Sequence, residues 1–150
     1  MKYYNYDIVF QEIPDEVTLA INLTGCPNRC VGCHSPHLRE DIGVELTPSI
    51  MDDLLAKYKS SVSCVCFMGG DAHRVDLSQM AQHLRAHSKV KIGWYSGQNQ
   101  MPQHSDLFDY VKLGPYIPEK GSLKSNTTNQ RLYRNQQGRW EDITHRFWKH

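Results

Sequence analysis

Three cysteines fall within eight residues, spaced Cys26-x3-Cys30-x2-Cys33. Thiolates are soft ligands that suit zinc or iron–sulfur clusters. A structural zinc takes four ligands and an ordinary cubane cluster four cysteines, whereas only three are local here. Three thiolates on a four-iron cluster leave one iron without a protein ligand, and an open metal position is what a catalytic centre needs. The rival reading is a zinc knuckle completed by His34 or His37. A thioredoxin-like use of Cys30 and Cys33 leaves Cys26 unexplained, and Pro36 interrupts the helix such a motif requires. The two remaining cysteines, Cys64 and Cys66, lie in an apolar strand and read as core.

The elements around this loop alternate. Thr18–Thr24 is β-branched and alternating, a strand that runs directly into Gly25-Cys26-Pro27-Asn28. Thr47 and Pro48 open a helix as N-cap and first helical residue. Its apolar positions Ile50, Met51, Leu54, Leu55 and Tyr58 recur at helical spacing. Val62–Phe67 is nearly all apolar, as expected of a strand buried on both faces, and Gly69-Gly70-Asp71 ends it. A second helix carries Leu77, Met80, Ala81 and Leu84 on one face, with Asp76 as its expected N-cap. Strands Val90–Tyr95 and Tyr110–Leu113 follow, ended by Ser96-Gly97 and Gly114-Pro115. The segment Gly121–Asn129 is polar. Arg131–Arg134 and Arg139–Ile143 read as a C-terminal hairpin.

This order predicts an α/β fold: a partial, open β/α barrel with a mainly parallel sheet and a short C-terminal hairpin, in one domain over 1–150. The chain has 150 residues, against about 250 for a complete eight-fold barrel. Each unusual element falls just after a strand. In such folds sites form at the carboxyl ends of strands, so four separate signals converge on one rim.

With those residues in view, the chain resembles the radical S-adenosylmethionine superfamily, whose cysteine spacing Cys26, Cys30 and Cys33 repeat and whose glycine-rich motif Gly69-Gly70-Asp71 resembles. More narrowly it looks like the activating proteins of anaerobic ribonucleoside-triphosphate reductase. The stretches that carry this are Thr24-Gly25-Cys26 through Cys33-His34, Phe67 through Asp71, Trp94-Tyr95-Ser96-Gly97, Lys112 through Tyr116 and Thr127 through Tyr133. It departs from the pattern at His34, where the activating proteins carry an aromatic, and at Ala72-His73, where a proline is common.

The resemblance implies a [4Fe-4S] cluster on Cys26, Cys30 and Cys33, with S-adenosyl-L-methionine chelating the free iron. It implies a cofactor site built from Gly32, Cys33, His34, Gly69, Gly70, Asp71, Ser96 and Lys112. A low-potential donor of flavodoxin or ferredoxin type reduces the cluster, a 5′-deoxyadenosyl radical results, and it removes a hydrogen from a glycine of the reductase catalytic subunit. Each smaller assignment has a plainer counterpart. Gly-Gly is commonly a turn, His34 a solvent-facing loop residue and Ser96 a turn former. Lys112 protects its strand if that strand is an edge. The rival functions are activation of another glycyl-radical enzyme such as pyruvate formate-lyase, radical chemistry on a small molecule, and a non-enzymatic zinc-binding adaptor.

Composition narrows the partners. Lys+Arg number 17 and Asp+Glu 16, which gives no electrostatic reason for nucleic acid or an acidic membrane. No stretch is long and apolar enough to span a bilayer, and MKYYNYDIVF lacks the features of a signal peptide. An odd cysteine count, five, fits a reducing compartment, so the expected location is the cytoplasm.

Overall fold

A computed structural model describes residues 1–24, 43–58 and 60–148. They build an eight-stranded sheet flanked by two α-helices. The elements are β1 (Lys2–Val9), β2 (Thr18–Leu23), β3 (Val44–Glu45), α1 (Pro48–Tyr58), β4 (Cys64–Met68), α2 (Arg74–His87), β5 (Lys91–Tyr95), β6 (Tyr110–Leu113), β7 (Arg131–Gln136) and β8 (Arg139–Asp142). The sheet order is β3-β1-β2-β4-β5-β6-β7-β8.

The expected α/β class holds, but the sheet is mixed rather than mainly parallel. The pairings β2–β4, β4–β5 and β5–β6 are parallel. The other four, β1–β2, β1–β3, β6–β7 and β7–β8, are antiparallel. The physical reason is the connections. Crossovers that contain α1 and α2 return the chain parallel at β4 and β5, and the segment 96–109 does so at β6, whereas the short connections before β2 and β8 and the segment 114–130 before β7 reverse it. The hairpin β7–β8 falls where the sequence puts it. β1 and β3 are additions on the far side of β2.

Period-2 alternation explains β1 in retrospect. Tyr6 and Ile8 pack against the main core, while Asn5 and Asp7, which alternate with them, are exposed. Thr47 caps α1, its Oγ1 accepting from the Ile50 N–H at 3.2 Å. Asp76 does not cap α2. That helix begins at Arg74 with His73 in the cap position, because the Gly70 carbonyl already accepts the His73 N–H at 2.9 Å and starts the turn early. Asp76 lies in the first turn and accepts from the Met1 ammonium at 3.3 Å.

Strand alternation divides the core in two. Leu19, Ile21, Val65, Phe67, Ile92, Trp94 and Val111 pack under the helices with Met51, Leu54, Leu77, Met80 and Leu84. The opposite face, with Cys64, Cys66, Tyr110 and Leu132, is covered by Ile13, Leu123 and Ile143 from loops and the chain's end. Gly93 is required there: a Cβ would lie 2.7 Å from Ile13 Cδ1, so its absence lets Ile13 seat against the sheet. Among the described residues no helix is long and apolar enough to cross a membrane.

At the amino ends of the parallel strands, Glu16 is buried yet ionised. Burial opposes its charge. The Tyr110 hydroxyl at 2.7 Å, the Ser63 hydroxyl at 2.7 Å and the Lys91 ammonium at 3.0 Å more than offset that and hold its carboxyl below the usual range. A carboxyl depressed in the folded state stabilises above its unfolded pKa, about 4.3, and loses that contribution as pH falls through the lower folded value. Wild type should therefore be more stable than Glu16→Gln near neutrality, with the gap closing in acid. Thermal unfolding of both proteins across the acid range tests this, and a gap independent of pH would refute it.

Candidate functional site

The carboxyl ends of β2, β4, β5 and β6 lie side by side, so Thr24, Gly69-Gly70-Asp71, Ser96-Gly97 and Gly114 form one rim. Gly69 and Gly70 both adopt positive φ, +100° and +90°. A Cβ on Gly70 would also meet Leu23 Cδ1 at 2.7 Å. The carbonyl of Gly69 accepts from Trp94 Nε1 at 2.6 Å and that of Gly70 from the His73 N–H. Each keeps a second lone pair.

Asp71 is buried and turned toward β5. Its Oδ1 accepts from Ser96 Oγ at 2.6 Å and from Arg74 Nη2 at 3.4 Å, and its Oδ2 from the Gly97 N–H at 3.0 Å. Ser96 is fully buried. Its hydroxyl also accepts from the Gln98 N–H at 3.1 Å, the turn-building role foreseen as its plainer reading.

Lys112 is not an edge residue, because β6 sits between β5 and β7. It is buried on the loop-covered face, and its Nζ donates to the carbonyls of Ser96 at 2.8 Å and Gly114 at 3.1 Å, beside the Tyr95 ring. Gln130 Nε2 donates to the same Gly114 carbonyl at 3.4 Å, and Asn129 Nδ2 to Pro115 at 3.0 Å. The polar segment before β7 thus closes one side of the rim.

Sequence reasoning missed the residues that share Lys112's row. Asn5, Asn22, Met68, Tyr95, Lys112 and Leu132 are successive partners across β1, β2, β4, β5, β6 and β7, so their side chains share one face. A strand register is invisible without knowing the neighbours. The only available signal was the parity of Met68, Tyr95 and Lys112 relative to the strand ends.

The predicted ligands Cys26, Cys30 and Cys33, with Gly32, His34 and His37, lie outside the described residues. What the structure does give is the point of departure of that loop: β2 ends at Leu23, one residue before Thr24 on the rim. Cys64 and Cys66 are fully buried, and burial pushes both thiols well above their ordinary range, as expected of core cysteines. Among the described residues no group of three or more His, Cys, Asp and Glu side chains could hold a metal ion. A groove of about 730 Å³ adjoins the rim between α2 and residues 98–107, with Arg74 and Gln98 on its wall. A second, about 830 Å³, lies at the opposite end of the strands beside Glu16 and Lys91.

No protein-family model matches this chain, and neither a curated protein nor a solved structure matches it.

Because three donors converge on the Asp71 carboxylate, Asp71→Asn should lower unfolding stability by about 2–3 kcal/mol, the cost of turning a buried acceptor into a donor that faces donors. Urea midpoints of the two proteins measure this. An unchanged midpoint would mean that the carboxylate does not hold the rim together.

Proposed function

We propose that this chain is a radical S-adenosylmethionine activating enzyme that places a glycyl radical on the catalytic subunit of anaerobic ribonucleoside-triphosphate reductase. One observation carries the reading most. The strand that leads into the three-cysteine loop ends on the same rim as the Gly69-Gly70 turn, the Ser96 turn and buried Lys112. Convergence of separately spaced motifs on one edge of a parallel sheet is what a cofactor site needs. The three parallel pairings with both helices on one face also suit part of an open β/α barrel.

The described part of the rim fits the cofactor. Gly69 and Gly70 leave room for close backbone approach and retain carbonyl lone pairs for an ammonium. Lys112 holds a positive charge at the same rim, where a carboxylate would be received. Asp71 and Ser96 act as positioning residues that fix the glycine turn against β5. Cys26, Cys30 and Cys33 would hold the [4Fe-4S] cluster, with Gly32 and His34 beside the bound cofactor. When bound, the cluster and S-adenosyl-L-methionine supply the one-electron chemistry that removes a hydrogen atom from a glycine Cα. The protein binds, orients and shields, and no general base is required of it. A low-potential donor of flavodoxin or ferredoxin type would feed the cluster, and the setting would be cytoplasmic.

Anaerobic reconstitution should load about four irons per chain. Alanine at Cys26, Cys30 or Cys33 should abolish loading, and alanine at Cys64 or Cys66 should leave it intact. With reductant, S-adenosyl-L-methionine and the reductase, a doublet should appear by electron paramagnetic resonance and vanish when the partner's glycine is changed to alanine. A colourless zinc protein would instead support the adaptor reading. Deoxyadenosine formed only with a small molecule, or a radical formed only on another glycyl-radical enzyme, would move the chain to a rival within the superfamily.

A further inference from the structure

β8 is the last strand of the sheet, and among the described residues no strand pairs with its outer edge. The direction of its main-chain groups follows from β7. The Asn135 N–H donates to the Asp109 carbonyl at 2.7 Å, on the β6 side, and the Ile143 N–H to the Leu132 carbonyl at 2.9 Å. Even-numbered residues of β7 therefore bond to the β8 side, through Arg139, Glu141 and Ile143. Trp140 and Asp142, which alternate with these, turn their N–H and C=O groups outward. The same alternation sets the side chains. Trp140 packs half-buried against the main core, on the helix-covered face. Arg139 and Glu141 project from the other face and are exposed. Glu141 Oε1 accepts from Arg134 Nη2 at 2.7 Å, and Arg139 takes part in no ion pair or hydrogen bond with the side chain of a described residue.

We propose that β8 pairs antiparallel with β8 of a second copy of this chain, about a twofold axis through Trp140. Outward-facing residues must meet outward-facing residues, so the axis passes through Trp140, Glu141 or Asp142. An axis through Asp142 sets that carboxylate against its own copy, and an axis through Glu141 does the same to Glu141. An axis through Trp140 sets Arg139 against Glu141 of the second copy and Glu141 against Arg139 of the second copy. These fall in non-hydrogen-bonded pairs, where side chains come closest. The Trp140 residues exchange both main-chain bonds, and their indoles meet on the helix-covered face. Charged residues on a short edge strand ordinarily deter pairing. Here a single register turns them into complementary pairs, which is why the occupant is a second copy: a foreign strand has no need of spacing that complements itself. The contact is isologous and closes at two copies. The axis stands perpendicular to the sheet, so the helices of both copies lie on one side and the two rims point opposite ways, each left open. Two four-residue strands make an interface of the small class, below about 1,200 Å², so the association is weak. The proposal does not depend on the activating-enzyme reading.

Sedimentation velocity of the full chain, from about 10 μM to about 1 mM, tests this. Wild type should pass from 17.3 kDa toward twice that mass as concentration rises. Arg139→Glu makes both members of each cross-strand pair acidic, and Glu141→Arg makes both basic. Each variant alone should self-associate about tenfold more weakly, because like charges directly opposite one another destabilise a strand pair. Mixed in equal amounts, the two variants are complementary at every one of these positions, and the mixture should regain wild-type affinity. A misfolded variant would not produce that rescue, and another register would not either. A wild-type chain that stays at 17.3 kDa throughout overturns the proposal. So does a wild-type dimer that neither variant weakens, which would place the contact elsewhere on the surface. A mixture that associates no more tightly than either variant by itself overturns it as well.

Discussion

A carboxylate taken out of water must have its charge met by donors, and at Asp71 those donors come from two other parts of the chain. Ser96 Oγ and the Gly97 N–H belong to the turn after β5, and Arg74 to the start of α2. The ends of β4 and β5 are therefore bound together at a point where the ladder has stopped. Ser96 passes the constraint on. Its N–H donates to the Lys112 carbonyl at 2.8 Å, and its own carbonyl accepts from Lys112 Nζ. Lys112 in turn holds Gly114, as does Gln130. One buried charge thus sets the relative positions of three strand ends and of the segment that leads into β7. A site assembled from turns that share hydrogen bonds in this way is positioned before any ligand arrives.

The two faces of the sheet divide the work. On the helix-covered face Trp94 is buried against Phe108, and its indole N–H reaches through to the Gly69 carbonyl. The packing core therefore supports the glycine turn from behind. On the other face small residues and loops replace helices. Gly93 admits Ile13, and the Tyr95 hydroxyl donates to the Glu12 carbonyl, which seals the middle of that face. Met68 and Tyr95 of the row that ends at the rim pack against the same cluster, and Lys112 beside them is buried.

Much of this was legible in the sequence, for particular reasons. Thr47-Pro48 marked a helix start because capping and a fixed φ are local properties. The strand Tyr110–Leu113 was bounded by its own turn residues. β1 was not legible, because Tyr6 and Ile8 mark a strand only once β2 offers them a neighbour. Asp76 was mistaken for a cap because a helix start depends on the turn before it, and that turn was set by Gly70. The triad of Cys26, Cys30 and Cys33 lies outside the described residues, and the residues that hold the rim in place were read singly. Asp71, Ser96 and Lys112 each had two readings in isolation. Their partners decide between those readings, and partners are a tertiary fact.

The cysteine loop and the rim constrain the function in different ways. Three closely spaced thiolates with a nearby histidine also suit zinc, and ligand type alone does not choose. A closed structural zinc site asks nothing further of the fold. It gives no reason for two adjacent positive-φ glycines after β4 and a buried lysine in β6, beside the end of the strand that leads into the loop. Burying Lys112 and Asp71 is costly, and the fold offsets that cost with at least five hydrogen bonds gathered at one edge. The order of the rim is thus a property of the strand ends and turns themselves, set by bonds among Asp71, Ser96, Lys112 and their partners.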